Sequence, residues 1–404
     1  MSLALVLTVT LLPATAADAA VQRVKPRYFG MTDSDPSTWP NRPVGSLRLW
    51  DSGVAWHQIE VAPNEFDWTR LDAAVRESRS NGAKPMLVLG MTPRFHALKP
   101  NAFGLWGTGT SSPPKMWAWK RYVRKVVNRY GAKLDYQVYN EANVVEFWAG
   151  SPRQMAKLTK ATYTIVNRIA PRAKVVSPAM ATRLTGQRKW LRTFYAQRLT
   201  RKPVSRFMDV VAVHLYPLPN EGPEDSMDIF RSVRTMLGWA KVRKPIWNTE
   251  INYGLQVGGG GTAKDISRRK EAAYVARTYI LNASMNIKRV YWYSWSLQGL
   301  ANTQLTRADG ATVTRAGIAY GVVRDWLLGT RMQGCDRDRS GTYTCTASYG
   351  DGVKRIYWNP SRLVTIRAVG SATRMENLRG TREKLSGGEG VRVGKAPILI
   401  RSKR

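Results

Sequence analysis

The sequence predicts an α/β fold, a (β/α)8 TIM barrel followed by a small C-terminal antiparallel β domain. The chain has 404 residues, enough for a barrel of about 250 residues and a smaller unit. Over most of this length, short β-rich apolar runs alternate with stretches of helical periodicity, which is typical of a parallel sheet. From about Met332 the pattern changes to short alternating runs separated by Gly, Asp and Pro, which indicates a separate β domain.

Eight apolar runs predict the strands of the barrel. Their number fits a closed barrel. A doubly wound open sheet is the rival architecture, but no Gly-rich phosphate loop follows the first run, which disfavours the nucleotide-binding versions of that fold. The predicted strands are Arg27–Met31, Ser46–Trp50, Lys84–Leu89, Asp135–Tyr139, Lys174–Pro178, Val210–Leu215, Pro245–Glu250 and Arg289–Ser294.

Helical periodicity fills several of the intervals between these strands. Several of the periodic stretches begin at or just after Ser, Pro or Asp, which are preferred at helix starts. The predicted helices include Trp68–Asn81, Lys115–Tyr130, Pro152–Ala170, Ser226–Ala240 and Lys264–Met285.

The N-terminal segment predicts export. Residues 1–19 are read as a signal peptide, because the apolar run Leu3–Leu12 is too short to span a bilayer and small residues follow it, with cleavage after Ala16 or Ala19. A basic n-region is missing. Residues 20–330 are then assigned to the barrel and 331–404 to an accessory domain, and we expect the protein to be secreted or associated with the cell envelope.

The only two cysteines, Cys335 and Cys345, lie in the predicted C-terminal domain. In an exported protein we expect them to form a disulfide that pins the first hairpin of an antiparallel sandwich or sheet. Four consecutive glycines, Gly258–Gly261, follow the seventh strand. They predict a rim loop that is either a lid over the cleft or a surface excursion.

The formal net charge is +35, which invites a nucleic-acid interpretation. The excess of cations is spread along the chain, however, and no zinc pattern or RNA-binding motif is present, so no specific nucleic-acid partner is predicted. A generally cationic surface and attraction to an acidic polysaccharide or envelope remain the two interpretations. No later segment is apolar enough for a membrane span, and the oligomeric state is left open.

Two glutamates close predicted strands. Glu141 ends the fourth strand and Glu250 ends the seventh, nearly opposite across the barrel mouth. Retaining glycosidases need two carboxyl groups about 5–5.5 Å apart, one as acid/base and one as nucleophile. Arg48, on the second strand, is a natural donor to Glu250. The pair predicts a retaining glycoside hydrolase.

The same residues carry a resemblance to clan A of the glycoside hydrolases, and most nearly to the xylosidase- and iduronidase-containing family 39 or related exopolysaccharide hydrolases. The resemblance covers about Arg27 to Leu328 and rests on Arg48, Asn140-Glu141, His214 with Tyr216, Glu250, and the Trp292/Trp295 end of the eighth strand.

The resemblance implies roles at these positions. Glu141 would be the acid/base and Asn140 would bind the sugar 2-hydroxyl. Glu250 would be the nucleophile, held by Arg48 and Tyr216. His214 would lie beside both carboxylates, and Trp295 would form the floor of the first sugar subsite. His96, which follows the third strand, is also predicted to line a subsite.

Other chemistries are disfavoured. The three histidines offer no paired metal-ligand spacing and no G-x-S-x-G elbow is present, so neither a metal nor a cofactor is predicted. The predicted substrate is an extracellular or cell-wall polysaccharide. The sequence does not define its sugar or whether cleavage is exo or endo. The alternative is a cationic barrel that binds carbohydrate or envelope without catalysis.

Overall fold

The computed structural model describes residues 23–32, 35, 39–255, 265–295 and 301–403. The predicted signal peptide and the Gly258–Gly261 segment lie outside the described residues.

Eight parallel strands form the barrel. Hydrogen bonding orders them β6-β7-β8-β1-β2-β3-β4-β5, and the parallel bridges Val176↔Val210 and Ala181↔His214 join the two ends of that sheet. The predicted fold class is confirmed, and each strand overlaps its predicted range. The strands are β1 Phe29–Thr32, β2 Ser46–Leu49, β3 Lys84–Leu89, β4 Asp135–Val138, β5 Val175–Val176, β6 Val211–His214, β7 Ile246–Ile251 and β8 Arg289–Tyr293.

In the described ranges, seven longer helices surround the barrel. The best-defined start is at Ser151, whose hydroxyl accepts from Gln154 N while the Gln154 side chain accepts from Ser151 N, a capping box. The helices that follow the fifth and eighth strands were not among those singled out from the sequence. The helices are α1 Thr69–Ser80, α2 Met116–Tyr130, α3 Pro152–Ile169, α4 Thr185–Tyr195, α5 Pro223–Trp239, α6 Arg268–Ser284 and α7 Arg315–Leu327.

Short elements occupy several connections. They are the helical turn Trp56–Ile59, the 3-10 turns Pro26–Tyr28, Arg94–His96, Gly131–Lys133 and Val204–Phe207, and the ribbons Glu60–Ala62 with Glu65–Phe66 and Arg198–Leu199 with Lys202–Pro203.

Side-chain alternation along the strands separates the barrel interior from the core beneath the helices. On β8, Val290 and Trp292 pack in the large outer core, whereas Tyr291 packs inside the barrel with Trp247 of β7. At the amino end of the barrel, Arg289 donates to Asp135 at 3.0 Å and stacks over Trp247. Side chains therefore fill this part of the barrel interior, and the polar residues described below lie at the carboxyl ends of the strands.

A β-bulge in β7 sets the direction of Glu250. The register pairs Val213 with Asn248 but His214 with Glu250, so β7 has one residue more than β6 here. Without the extra residue, Glu250 would follow the outward direction of Asn248, whose side chain contacts Asn282 of α6. The bulge turns Glu250 into the barrel mouth.

The C-terminal domain is a six-stranded antiparallel sheet, ordered β9-β10-β11-β16-β13-β14, with a two-stranded ribbon of β12 and β15 on one face. As predicted, a disulfide joins Cys335 to Cys345, which pair directly across β9 and β10. The strands are β9 Arg331–Arg337, β10 Tyr343–Tyr349, β11 Gly352–Trp358, β12 Val364–Arg367, β13 Ala372–Asn377, β14 Arg382–Lys384, β15 Gly390–Val393 and β16 Ile398–Lys403.

The other face of this sheet packs on the barrel. Trp358 and Leu399 belong to the same hydrophobic core as the barrel helices. Trp358 Nε1 donates to Glu224 of α5 at 2.8 Å, and Trp326 Nε1 of α7 donates to Glu376 of β13 at 3.1 Å. Within the described residues, no helix is long and apolar enough to cross a membrane.

Candidate active site

Arg48 lies at the centre of a buried polar cluster at the carboxyl ends of the barrel strands. Its side chain is fully buried and donates from Nη1 to Glu250 Oε2 at 2.7 Å, from Nη2 to Asn140 Oδ1 at 2.6 Å and from Nε to Gln137 Oε1 at 2.9 Å. An Arg with all three nitrogen positions bonded is held in one orientation. Arg48 therefore fixes residues of β4 and β7 relative to each other.

Glu250 has a second donor on its other oxygen. Tyr216 Oη donates to Glu250 Oε1 at 2.9 Å, and Tyr216 is itself buried. Because one oxygen faces a guanidinium and the other a phenol, the carboxylate is oriented and its charge is stabilised.

His214 lies between the two glutamates. Its Nδ1 is 2.9 Å from Glu141 Oε1 and 3.8 Å from Glu250 Oε2. The two carboxyl oxygens are therefore no further apart than the sum of these distances, 6.7 Å. The two predicted catalytic carboxyls therefore lie close together, with His214 near both.

The two carboxyls differ in their surroundings. Burial raises the pKa of Glu141 to about 7, against the opposing charges of Arg183 and Arg48. Burial also raises the pKa of Glu250, where His214 and Arg48 oppose the rise. Glu250 has direct contacts with a cation and a phenol, whereas the contact of Glu141 is with His214. Burial lowers the pKa of His214 to about 3, so this ring is neutral at neutral pH.

The backbone that presents Glu141 is irregular. Tyr139 and Glu141 have φ values of 62° and 32°, in the left-handed region that costs a non-glycine residue about 1–2 kcal/mol. The segment is held by Tyr139 N donating to Leu89 O and Ala142 N donating to Ala179 O. Backbone strain of this kind is typical of functional sites.

An aromatic group borders the Arg48 side of the cleft. Trp50 packs against Trp106 and Phe147, with ring centroids 4.5 and 5.7 Å away, and Arg48 lies 5.8 Å from the Trp50 ring centroid. Trp106 and Phe147 are half-buried, so they retain exposed ring surface for an apolar contact. Trp56 and Trp148, by contrast, are buried in the outer core.

The sequence did not single out several residues of this cluster. Asp51 accepts from Tyr293 Oη at 2.6 Å, and its Oδ1 is a buried oxygen with no partner among the described residues. Burial raises its pKa. Asp51 directly follows the predicted strand Ser46–Trp50, so the rule that found Glu141 and Glu250, a polar residue closing a predicted strand, would also have found it.

Arg183 is the second such residue. It follows β5, and its guanidinium lies 5.9 Å from the Tyr216 ring centroid. Its Nη1 donates to Leu255 O at 3.1 Å. The Arg183 side chain is half-buried and interacts electrostatically with Glu141. A cation at this point could contact an anionic or hydroxyl-rich group bound beside the acid.

The prediction for Trp295 is wrong in placement. Its side chain is fully buried in the outer core, and its Nε1 donates to Gly310 O at 3.1 Å, so the ring has no face exposed to a sugar. Strand β8 ends at Tyr293, and beyond that point the alternation no longer directs side chains inward. Tyr293, which does continue the inward series of Tyr291, occupies the cleft instead.

The prediction for His96 is also wrong in placement. Its Nε2 lies 3.0 Å from Glu60 Oε1, Arg121 donates to the same oxygen, and its ring stacks on Trp56. This second cluster is buried under α2, away from the residues around Arg48. Arg48, Asn140, His214 and Tyr216 do meet Glu141 and Glu250. No group of three or more His, Cys, Asp or Glu in the described ranges is arranged to hold a metal ion.

Comparison with known families gives one family match. The model described as "Glycosyl hydrolase catalytic core" matches residues 105–320, which is more than half of the chain and includes both glutamates.

Solved structures with the same fold come from several bacteria. A family 39 glycoside hydrolase from Bacteroides cellulosilyticus is 17% identical, with a TM-score of 0.72 over 94% of this chain and 81% of its own. A family 39 β-xylosidase from Caulobacter crescentus is 15% identical, TM-score 0.66, over 96% and 98%. A family 30 endoxylanase from Clostridium papyrosolvens is 13% identical, TM-score 0.63, over 95% and 98%.

Proposed function

Because the chain belongs to the glycosyl hydrolase catalytic core family, we propose that it hydrolyses O-glycosidic bonds with retention of configuration. The observation that carries this proposal is the position of His214 between Glu141 and Glu250, which limits the separation of their nearest oxygens to 6.7 Å. That limit accommodates the spacing of about 5–5.5 Å that retaining enzymes use.

In the first step, Glu250 attacks the anomeric carbon as a carboxylate. The bond to the leaving oxygen breaks, and Glu141 transfers its proton to that oxygen. The product is a glycosyl ester on Glu250. The raised pKa of Glu141, about 7, keeps a proton on this carboxyl near neutral pH, as a general acid requires.

In the second step, the ionised Glu141 accepts a proton from water. The hydroxide that forms attacks the anomeric carbon, and the ester bond to Glu250 breaks. Glu141 is again protonated and Glu250 is again a carboxylate, so the cycle closes with one water consumed. Arg48 and Tyr216 stabilise the negative charge of Glu250 before the first step and after the second.

Neighbouring residues supply contacts for the sugar. Asn140 has its Oδ1 engaged by Arg48, so its amide nitrogen is available to donate to the 2-hydroxyl, a contact that strengthens in the transition state. The Trp50, Trp106 and Phe147 group offers an apolar face. These roles replace the ones predicted for Trp295 and His96.

We place the substrate among extracellular or cell-envelope polysaccharides and the enzyme outside the cytoplasm. The predicted signal peptide supports this, as does the Cys335–Cys345 disulfide, because disulfides persist mainly in oxidising compartments. Two structural neighbours are a β-xylosidase and an endoxylanase, which makes aryl xylosides the first substrates to assay.

The decisive experiment is chemical rescue on whichever aryl glycoside the wild-type protein hydrolyses. Glu250→Ala should abolish turnover, and added azide should restore it with a glycosyl azide of inverted configuration, because azide then attacks in place of the missing carboxylate.

Glu141→Ala is the matched variant. With a good leaving group it should still form the ester, and azide should yield a glycosyl azide of retained configuration. Full activity of Glu250→Ala, or an exchange of the two stereochemical outcomes, would contradict the assignment of roles.

A further inference from the structure

A groove of about 980 Å³ lies between α2 and α3 on the outside of the barrel. Its floor is apolar and its walls carry cationic side chains from both helices. The floor includes Met116, Ala161, Ile165, Ile169 and Leu199, and the walls include Lys120, Arg124, Arg153, Lys157, Lys160 and Arg168.

The groove is cationic because the surrounding sequence contains no compensating carboxylates. Neither α2 nor α3 has an Asp or Glu, and residues 147–208 contain 14 Lys and Arg with no acidic residue. Among the residues that the structure describes, Lys120, Arg124, Arg153 and Lys157 are exposed and form no ion pair.

Other helices of the same barrel do carry counter-charges. On α5, Arg231 pairs with Asp228, and Glu224 pairs with Arg277 of α6. On the opposite side of α2, Arg129 pairs with Asp72 of α1. The α2–α3 groove therefore combines unpaired cations with an apolar floor, whereas these neighbouring surfaces pair some of their cations with carboxylates.

The cations of α3 lie along one line. Arg153, Lys157, Lys160 and Arg168 are separated by four, three and eight residues in turn, which places them on one face of a helix. At a rise of 1.5 Å per residue the line is about 22 Å long. A linear polymer with a charge on each repeat matches such a line better than a single small anion does.

One end of the groove lies at the carboxyl end of the barrel. Both α2 and α3 begin after the carboxyl ends of their strands, so their first turns, with Met116 and Arg153, lie at the same end of the barrel as Glu141. The connections that lead into them carry exposed apolar side chains, Phe103 and Val145, and are tied together by Leu105 N donating to Glu146 O.

We propose that the α2–α3 groove is an accessory binding site for a linear acidic polysaccharide, which it holds beside the barrel mouth. Carboxylates along the polymer would pair with the cationic walls, and the C–H faces of the sugar rings would pack on the apolar floor. The choice of a polysaccharide as occupant rests on the proposed glycoside hydrolase function; the charge and shape of the groove do not.

The test measures binding separately from hydrolysis. In a Glu250→Gln background, the affinity for polygalacturonate would be compared with that of a variant that also carries Lys120→Gln, Arg124→Gln, Arg153→Gln and Lys157→Gln. We expect the groove variant to bind at least tenfold more weakly, and the binding of the parent to weaken steeply with salt. Thermal unfolding of both proteins checks that the groove variant is folded.

The matched control removes the same charge elsewhere, through Arg374→Gln, Lys384→Gln, Arg392→Gln and Lys395→Gln in the C-terminal domain. All four side chains are exposed. Equal losses in the control and groove variants would overturn the proposal, since only total charge would then matter. Equal binding of neutral dextran, or a groove-dependent preference for polyphosphate or anionic phospholipid vesicles, would also overturn it. Because the readout is binding and every protein compared carries the same Glu250→Gln change, none of these results depends on whether Glu250 is the nucleophile.

Discussion

Two clusters in this barrel contain the same three residue types, Arg, Glu and His, but differ in their expected roles. The cleft cluster contains Arg48, Glu141, His214 and Glu250; the buried cluster contains Glu60, His96 and Arg121. In both, a His nitrogen lies about 3 Å from a glutamate oxygen, at 2.9 Å for His214 and 3.0 Å for His96, and an Arg donates to a glutamate. Residue type and contact distance therefore do not distinguish them.

The two clusters differ in how completely the oxygens of their glutamates are hydrogen-bonded. Glu60 is fully buried and both of its oxygens are occupied. Oε1 accepts from Arg121 and Asn64 N and contacts His96 Nε2, and Oε2 accepts from Trp56 Nε1 at 2.7 Å. The Glu141 side chain keeps 17% of its surface exposed and has unused acceptor capacity toward the cleft. A saturated carboxylate holds structure together, whereas an incompletely bonded one can exchange a proton with a substrate.

The two arginines provide the largest expected contrast. Arg48→Met should lower kcat by about 10³-fold, because Glu250 loses its cation and Asn140 loses its hydrogen-bond donor. Arg121→Met should leave kcat within about twofold. Steady-state kinetics on one aryl glycoside measure both, and similar losses in the two variants would erase the distinction between the clusters.

The next contrast is in stability. Glu60→Gln should lower the free energy of unfolding by about 3 kcal/mol, because it removes the charge that His96, Arg121 and Trp56 surround. Urea unfolding at neutral pH measures the change. The kcat of the folded variant should match that of the wild type. An unchanged free energy of unfolding would show that the buried cluster does not stabilise the fold.

The smallest expected effect is an increase in the free energy of unfolding, and its size depends on pH. The folded pKa of Glu141, about 7, lies above its ordinary value of 4.5, so its contribution to stability is complete below pH 4.5 and is lost as pH rises through 7. Glu141→Gln should therefore be about 2 kcal/mol more stable than the wild type at pH 9 and equal to it at pH 4. Urea unfolding at the two pH values checks this, and a difference that does not change with pH would contradict the raised pKa.

Much of the fold was predictable because the barrel strands are apolar runs bounded by polar turns. Lys84–Leu89 was placed without error, Glu141 and Glu250 followed from the rule that polar residues at strand ends face the cleft, and Arg48 was named from its strand as a donor to Glu250. The direction of Arg48 follows from alternation, since Leu47 and Leu49 pack outward in the core.

What the sequence could not give is side-chain direction where regular structure stops. The β7 bulge that turns Glu250 inward leaves no mark in composition. Trp295 lies two residues past the end of β8 and His96 lies in a 3-10 turn after β3, so alternation does not apply to either. Both are aromatic rings that an apolar interior can accept as readily as a cleft.

The packing of the C-terminal sheet has a consequence for how the chain can be divided. Trp358 reaches α5, Glu376 accepts from Trp326, and Lys354 Nζ donates to Trp326 O, so the boundary near Thr330 separates elements in sequence but not in the core. Cutting there would expose the apolar side of α7 and leave the sheet without its support. We therefore expect the two units to unfold together, and the accessory sheet not to be exchangeable as an independent module.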